Sequence, residues 1–249
     1  MQFSRPPARA ATPLCNIEVP MPITTIIFDF DGLILDTEGP DFRTWQEVYE
    51  EHDATLDIRD WQRLIGTTIA TPDAFDPYEE LERQLGGPID RERLQERRQK
   101  RHVELVEKEV LLPGVERYLD DARALGLRLG VASTSRRDWV VGNLDRLGLT
   151  ERFGCIRCHD DVGVPKPAPD VYLSALAGLD ARASEVFALE DSPNGIRSAK
   201  GAGLFCVAVP NPLTQDLDLA AADLILTSLD EMPLAELLAL VNGHPIARQ

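Results

Sequence analysis

Two carboxylates spaced two residues apart, Asp29 and Asp31, close the apolar run that begins at Thr24 and precede Gly32. A short β-branched and aromatic run ending in an Asp-Gly turn signal reads as a buried strand, so the pair lies where that strand ends. Three more polar clusters follow strand-like runs in the same way. Ser133-Thr134-Ser135 follows Leu127 to Ala132, Lys166 lies a short loop beyond Cys155 to Cys158, and Glu190-Asp191 follows Val186 to Leu189. Carboxylates crowded at one place repel one another and stay partly protonated unless a cation sits among them. An all-oxygen set suits a hard ion such as Mg²⁺, which takes a few carboxylates together with substrate phosphate. A carboxylate is also a competent covalent nucleophile, forming an acyl-phosphate. A second Asp can then protonate the leaving group and later take a proton from water. Ser133, Thr134 and Lys166 are the donors to expect on the phosphoryl oxygens, helped by free backbone N–H groups at a helix start.

These groups meet only if the strands lie side by side with their carboxyl ends together, which the order of elements predicts. After Pro113-Gly114 the chain alternates helix-like and strand-like stretches to its end, with strands expected at Leu127–Ala132, Cys155–Cys158, Val186–Leu189, Leu204–Val209 and Leu224–Leu226. Such alternation reads as an α/β fold, a doubly wound and mostly parallel sheet covered on both faces. Ligands bind such sheets at the carboxyl ends of the strands. Residues 38–109 break the alternation. They are Arg- and Glu-rich and helix-favouring, with a long helix expected from Asp90 to Glu109 carrying Leu94, Val103 and Val106 as its apolar stripe. The expected organisation is a Rossmann-like core of residues 21–37 and 110–249, a helical insert at 38–109, and a disordered tail at 1–20.

The four clusters together resemble the motifs of the haloacid dehalogenase-like hydrolase superfamily. Asp29-Phe30-Asp31-Gly32-Leu33-Ile34-Leu35-Asp36-Thr37-Glu38 looks like its first motif and Val131-Ala132-Ser133-Thr134-Ser135 its second. Lys166-Pro167-Ala168-Pro169-Asp170 looks like its third, and Leu189-Glu190-Asp191-Ser192-Pro193-Asn194-Gly195 its fourth. The helical insert directly after the first motif resembles the C1-type cap of the β-phosphoglucomutase-like branch. The resemblance implies that Asp29 is the nucleophile and a Mg²⁺ ligand, and that Asp31 is the acid/base and gives its backbone carbonyl to the metal. It implies that Ser133, Thr134 and Lys166 bind the transferring phosphoryl group. Asp191 is then a further metal ligand, with Glu190 bound directly or through water. The activity implied is a Mg²⁺-dependent phosphatase acting on a small phosphorylated metabolite through an aspartyl-phosphate. The alternative is a phosphohexose mutase. Mutases of the branch carry a His in the first cap helix, where this chain has Asp41, and a base in a cap loop, where Leu64-Ile65-Gly66-Thr67-Thr68 offers none. Dehalogenation does not need the second Asp.

Composition narrows the partners. The 249 residues hold 42 acids against 26 bases, a formal charge of −16. That argues against a nucleic-acid binder or a basic membrane-surface protein, since both need a positive face. No run approaches the roughly 20 apolar residues of a membrane span. The first 20 residues hold no secretory h-region, and Met21 is the expected initiator. A cytoplasmic monomer is expected. Cys155-Ile156-Arg157-Cys158-His159 has the spacing of a haem-attachment motif but is read as chance. Asp36 is expected to cap the chain as it leaves for the insert, and Arg136 and Arg137 to form a solvated helix start. The Arg91–Arg101 cluster is read as a solvated helix face, and His52, His102 and His244 as surface residues.

Overall fold

The computed structural model describes residues 22–65 and 75–243. The N-terminal tail, the Met21 start, Gly66-Thr67-Thr68 and His244 lie outside the described residues. The sheet has six strands: β1 (Thr25–Phe28), β2 (Arg128–Ala132), β3 (Cys155–Arg157), β4 (Val186–Glu190), β5 (Phe205–Ala208) and β6 (Leu224–Ile225). They run in the order β3-β2-β1-β4-β5-β6, and every pairing is parallel. The chain winds outward in both directions from β1, so the strand order reverses there, which is where such sheets bind ligands. The predicted doubly wound α/β core is therefore the one observed.

Alternation along the strands divides the core into two layers. From β1, Ile26 and Phe28 join one cluster while Ile27 joins the other. The first layer packs under α5 (Val115–Ala124), α6 (Arg137–Arg146) and α10 (Leu234–Gly243). The second packs under α8 (Asp170–Gly178) and α9 (Pro193–Gly201). A short helix, α7 (His159–Val162), lies between β3 and α8. This layering also settles the Cys-x-x-Cys spacing. Cys155 packs in the second layer and Cys158 in the first. Residues three apart on extended chain point to opposite faces, so the sheet separates the two thiols and no shared metal or redox site forms.

Four helices of the insert pack on one another: α1 (Glu38–Glu51), α2 (Ile58–Gln62), α3 (Pro77–Leu85) and α4 (Arg91–Val106). Asp57, Asp76 and Asp90 cap the starts of α2, α3 and α4 by accepting backbone N–H bonds, as expected of short polar residues at that position. Phe42, Trp45, Val48, Tyr49, Trp61, Ile65, Leu81 and Leu94 form a separate small core. Most arginines of α4 are held in ion pairs, Arg91, Arg97, Arg98 and Arg101 among them. Arg101 forms two 3.0 Å bonds to Glu47, and Arg98 pairs with Asp41 while its guanidinium lies 4.8 Å over the Trp45 ring. Of the expected α4 stripe, Leu94 and Val106 are buried, but Val103 is 40% exposed and faces a cavity described below. A stripe written for one packing face cannot distinguish a core from the wall of a cleft.

The insert rejoins the core at Gly114, which precedes α5 with φ +85°. A Cβ there would lie 2.5 Å from the backbone carbon of Leu229 and 2.6 Å from the backbone nitrogen of Asp230. Gly114→Ala is expected to destabilise the protein by about 1–3 kcal/mol. Gly87→Ala, where a Cβ meets nothing within 4 Å, is expected to be near neutral; thermal unfolding of both variants checks the contrast.

Candidate active site

Sheet register builds the site. Phe28 is level with Leu189 on one side and Val131 on the other. The next residue, Asp29, therefore emerges beside Glu190 and Ala132, and its N–H bonds to the Leu189 carbonyl at 2.9 Å. The four predicted clusters meet at this edge. Lys166 crosses from the far side of the site and donates from Nζ to Asp29 Oδ1 and to Glu190 Oε1, both at 2.6 Å. All three groups are buried, as is Asp191. Asp29, Glu190 and Asp191 each offer an oxygen within 4.8 Å of the others.

The backbone had to make room for this. Gly195 opens the first turn of α9 against Glu190, and a Cβ there would lie 1.8 Å from Glu190 Oε2. Gly32, at φ +79°, would place a Cβ 2.4 Å from Asp191 Oδ2. Both glycines are dictated by close approach of a carboxylate, a steric demand that only Gly meets.

Electrostatics at the cluster are set by an excess of negative charge. Burial pushes the Asp29 carboxyl from 3.8 up to about 8; Lys166 opposes this, and Glu190 and Asp31 add to it. Asp191 is raised well above its ordinary value by burial and then by Asp29 and Glu190. Burial acts to lower Lys166, but Asp29 and Glu190 reverse that and hold it above its usual range. One ammonium thus faces three carboxylates, and another cation is what the cluster lacks. The donor set fits a small hard ion, being all oxygen, buried and rigidly held. Asp191 and Asp29 have oxygens to give it. Glu190 is more fully engaged: its Oε1 already accepts from Lys166 and, at 2.7 Å, from Tyr172.

Asp31 has a different environment. Its side chain turns away from the cluster and accepts four hydrogen bonds. Thr37 Oγ1 and Trp139 Nε1 reach Oδ1, both at 2.9 Å; Ser133 Oγ at 3.0 Å and Ser135 Oγ at 2.6 Å reach Oδ2. Ser133, predicted to hold phosphate, therefore also holds Asp31. Asp31 opens onto a cavity of about 540 Å³ between core and insert, lined by Glu38, Asp41, Gln99, Thr134, Arg136 and Trp139 among others. Asp36 accepts from the Gly39 N–H at 2.8 Å, the capping role expected of it. Arg136 is exposed, whereas Arg137 also reaches back to the Ile156 carbonyl.

Three residues of this site carried no clear signal in the sequence. Tyr172 lies buried on α8 and supports Glu190; an apolar helix face gives no hint that its hydroxyl is used. Asn211 donates to Asp191 Oδ2 at 2.8 Å and to the Gly32 carbonyl at 3.3 Å. Trp139 lies on α6 among charged neighbours, and nothing local marks its indole N–H as a partner of Asp31. One expectation is corrected outright. His102 is not a free surface residue: it is half-buried, its ring is stacked on Trp139 with centroids 5.2 Å apart, and Nε2 lies 3.2 Å from the Thr37 carbonyl. Its place on a highly charged helix concealed that the helix leans over the site. His52 is half-buried as well, with Nδ1 2.8 Å from the Val48 carbonyl.

A doubly wound parallel sheet with carboxylates and one lysine gathered at its switch point is the core of a Rossmann-like hydrolase, and the relatives below place it among hydrolases of phosphate esters. Residues 26–209 match the family model described as haloacid dehalogenase-like hydrolase, and the chain belongs to that family. Among its relatives is YhcW of Bacillus subtilis (strain 168), whose name assigns it provisionally to the phosphatases. It is 44% identical over 222 residues, covering 89% of this chain and 99% of the relative. The β-phosphoglucomutase of the same organism is 32% identical over 220 residues, covering 84% and 91%. Among solved structures, CbbY from Rhodobacter sphaeroides in complex with xylulose-1,5-bisphosphate has a TM-score of 0.64 and 30% identity, covering 84% of this chain and 96% of that one.

The raised Asp29 carboxyl has a consequence for metal-free protein. A folded-state pKa of about 8 against an ordinary 3.8 means that the native state holds a proton the unfolded state has released. Stability from this group is full below 3.8 and falls as pH rises toward 8. In chelator, wild type is therefore expected to lose stability relative to Asp29→Asn across that window. A constant difference in denaturation midpoint between the two would refute it.

Proposed function

We propose that this hydrolase is a Mg²⁺-dependent phosphatase that transfers the phosphoryl group of a small polyhydroxylated monophosphate to Asp29 and then to water. The observation that carries the reading is the buried group of Asp29, Glu190 and Asp191 around the single Lys166. Asp29 and Asp191, with the Asp31 carbonyl, would hold the ion, and Glu190 would act on it from behind. When bound, Mg²⁺ supplies positive charge to the phosphoryl oxygens and keeps the surrounding carboxylates ionised.

The chain's own residues account for the rest. An Asp29 oxygen bonds to phosphorus as the ester P–O bond breaks. Lys166, Ser133 and Thr134 bind the non-bridging oxygens. Asp31 gives a proton to the departing oxygen, then takes one from the water that attacks the aspartyl-phosphate, releasing phosphate and free Asp29. The insert, with His102 on α4 packed against Trp139, covers the cavity and limits bulk water.

Water is favoured as acceptor over a second sugar phosphate. A mutase must bind the non-reacting phosphate of a bisphosphate within its insert. Here Arg98 is taken up by Asp41, Thr44 and the Trp45 ring, and Arg136 lies exposed beside Asp138. Glu38, Asp41 and Gln99 instead present groups suited to hydroxyls. The buried, unpaired thiols Cys155, Cys158 and Cys206 fit a reducing, cytoplasmic setting.

The test is phosphate release from p-nitrophenyl phosphate and from a panel of hexose, hexitol, glycerol, glycolate, nucleotide and flavin monophosphates and a ketopentose bisphosphate. Activity is expected to require Mg²⁺, to fall at least about 1,000-fold in Asp29→Asn, and to favour the polyhydroxylated monophosphates. Steady conversion of β-glucose 1-phosphate to glucose 6-phosphate without phosphate release would overturn the hydrolytic reading.

A further inference from the structure

Asp31 is held by two kinds of donor. Ser133 and Ser135 reach Oδ2 through hydroxyls, which rotate and can turn to a phosphoryl oxygen when substrate arrives. The indole N–H of Trp139 is different. It donates only, it cannot rotate away from its ring, and it reaches Oδ1 at 2.9 Å. Thr37 Oγ1 reaches the same oxygen at 2.9 Å. The Thr37 hydroxyl can rotate as the serines can, so the indole is what anchors Oδ1, whereas both partners of Oδ2 can leave and Oδ2 is the oxygen able to exchange a proton with substrate. The Trp139 ring is fixed in turn by His102 of α4, stacked on it at an interplanar angle of 25°, and His102 Nε2 lies 3.2 Å from the carbonyl of Thr37, the other residue bonded to Oδ1.

We propose that Trp139 is a positioning residue for Asp31, anchoring Oδ1 so that Oδ2 faces the departing oxygen, and that the stacked His102 ties this aim to the docking of the insert. The inference rests on the acid/base role of Asp31 proposed above.

The test exploits the leaving group. kcat/KM reports steps up to formation of the aspartyl-phosphate, and in that step an alkoxide needs a proton whereas p-nitrophenolate leaves without one. In Trp139→Phe the ring and its stacking on His102 are kept and only the donor is lost. kcat/KM is expected to fall about ten-fold more for the best alkyl monophosphate of the panel than for p-nitrophenyl phosphate. His102→Ala is expected to shift the same ratio in the same direction by less. Equal losses on both esters would reduce Trp139 to packing and overturn the proposal. If Asp31→Asn itself leaves the alkyl ester untouched, the acid/base reading fails first, which separates the two failures.

A second measurement does not depend on the Phe variant folding. The chain has three tryptophans, so its indole N–H resonances are few. The one belonging to Trp139 is expected to move upfield in Asp31→Asn, where an amide oxygen, a different and weaker acceptor, replaces the carboxyl oxygen. No movement would also overturn the proposal.

Discussion

The structure turns on one buried ammonium shared between two carboxylates. Lys166 sits 2.6 Å from both Asp29 and Glu190, and none of the three meets bulk water to any useful extent. Removing such charges from water costs several kcal/mol per ion, and mutual attraction offsets this only with good geometry and further hydrogen bonds. Tyr172 supplies one of those bonds, the backbone N–H of Asp191 approaches at 3.3 Å, and Gly195 allows α9 to close over the pair. Even so the account does not balance: Asp191 is a third carboxylate with no second base. The arrangement resists its own charge, which a purely structural ion pair would have no reason to do. It is coherent with the proposed reading, in which a metal ion and a phosphoryl group would supply the balancing charge and its partner.

Asp29 and Asp31 show how two identical residues two positions apart come to stand in different environments. Asp29 continues the line of β1 into the buried cluster, where its neighbours are Lys166 and other carboxylates. Asp31 follows the turn and lands among neutral donors facing the cavity. Divergent environments are how a pair of carboxyl groups comes to divide nucleophilic from acid/base work. The turn at Gly32 makes the divergence possible, since it changes the chain direction within two residues and at a positive φ.

What the sequence revealed, and what it concealed, follow the same physics. Strand ends were legible because apolar runs stop at turn signals, and a parallel sheet collects those ends on one edge. Asp29, Asp31, Ser133, Lys166, Glu190 and Asp191 were found on that basis. Tyr172, Asn211 and Trp139 were not, because each is set by contact across the fold: Asn211 reaches Gly32 and Asp191, 179 and 20 residues away, and Trp139 reaches Asp31 across 108. His102 was misjudged for a related reason. Helical periodicity tells which residues share a face but not what that face meets, and α4 presents Val103 and His102 to a cleft instead of to water or core. The Cys-x-x-Cys spacing erred the other way, a local pattern that the sheet divides between its two faces.

The acidity of the chain bears on how an anion is recognised at all. The insert, residues 38–109, holds 19 acids against 11 bases, and the arginines of α4 nearest the cavity are spent on internal pairs with Asp41 and Glu47. A phosphoester therefore finds little general attraction on approach. In the proposed reaction its phosphoryl group is drawn to the sheet edge by Lys166, while the rest of the molecule meets Glu38, Asp41, Gln99, Trp139 and, at the exposed margin of the cavity, Arg136. The described insert residues that line the cavity, Glu38, Asp41, Gln99, His102 and Val103, include no lysine or arginine, so a second phosphate finds no strong partner there whereas hydroxyls do. The same ion pairs that fold the insert around Trp45 thus leave the arginines nearest the cavity unavailable to a second phosphate, which favours water as the second partner for Asp29 in the proposed reaction.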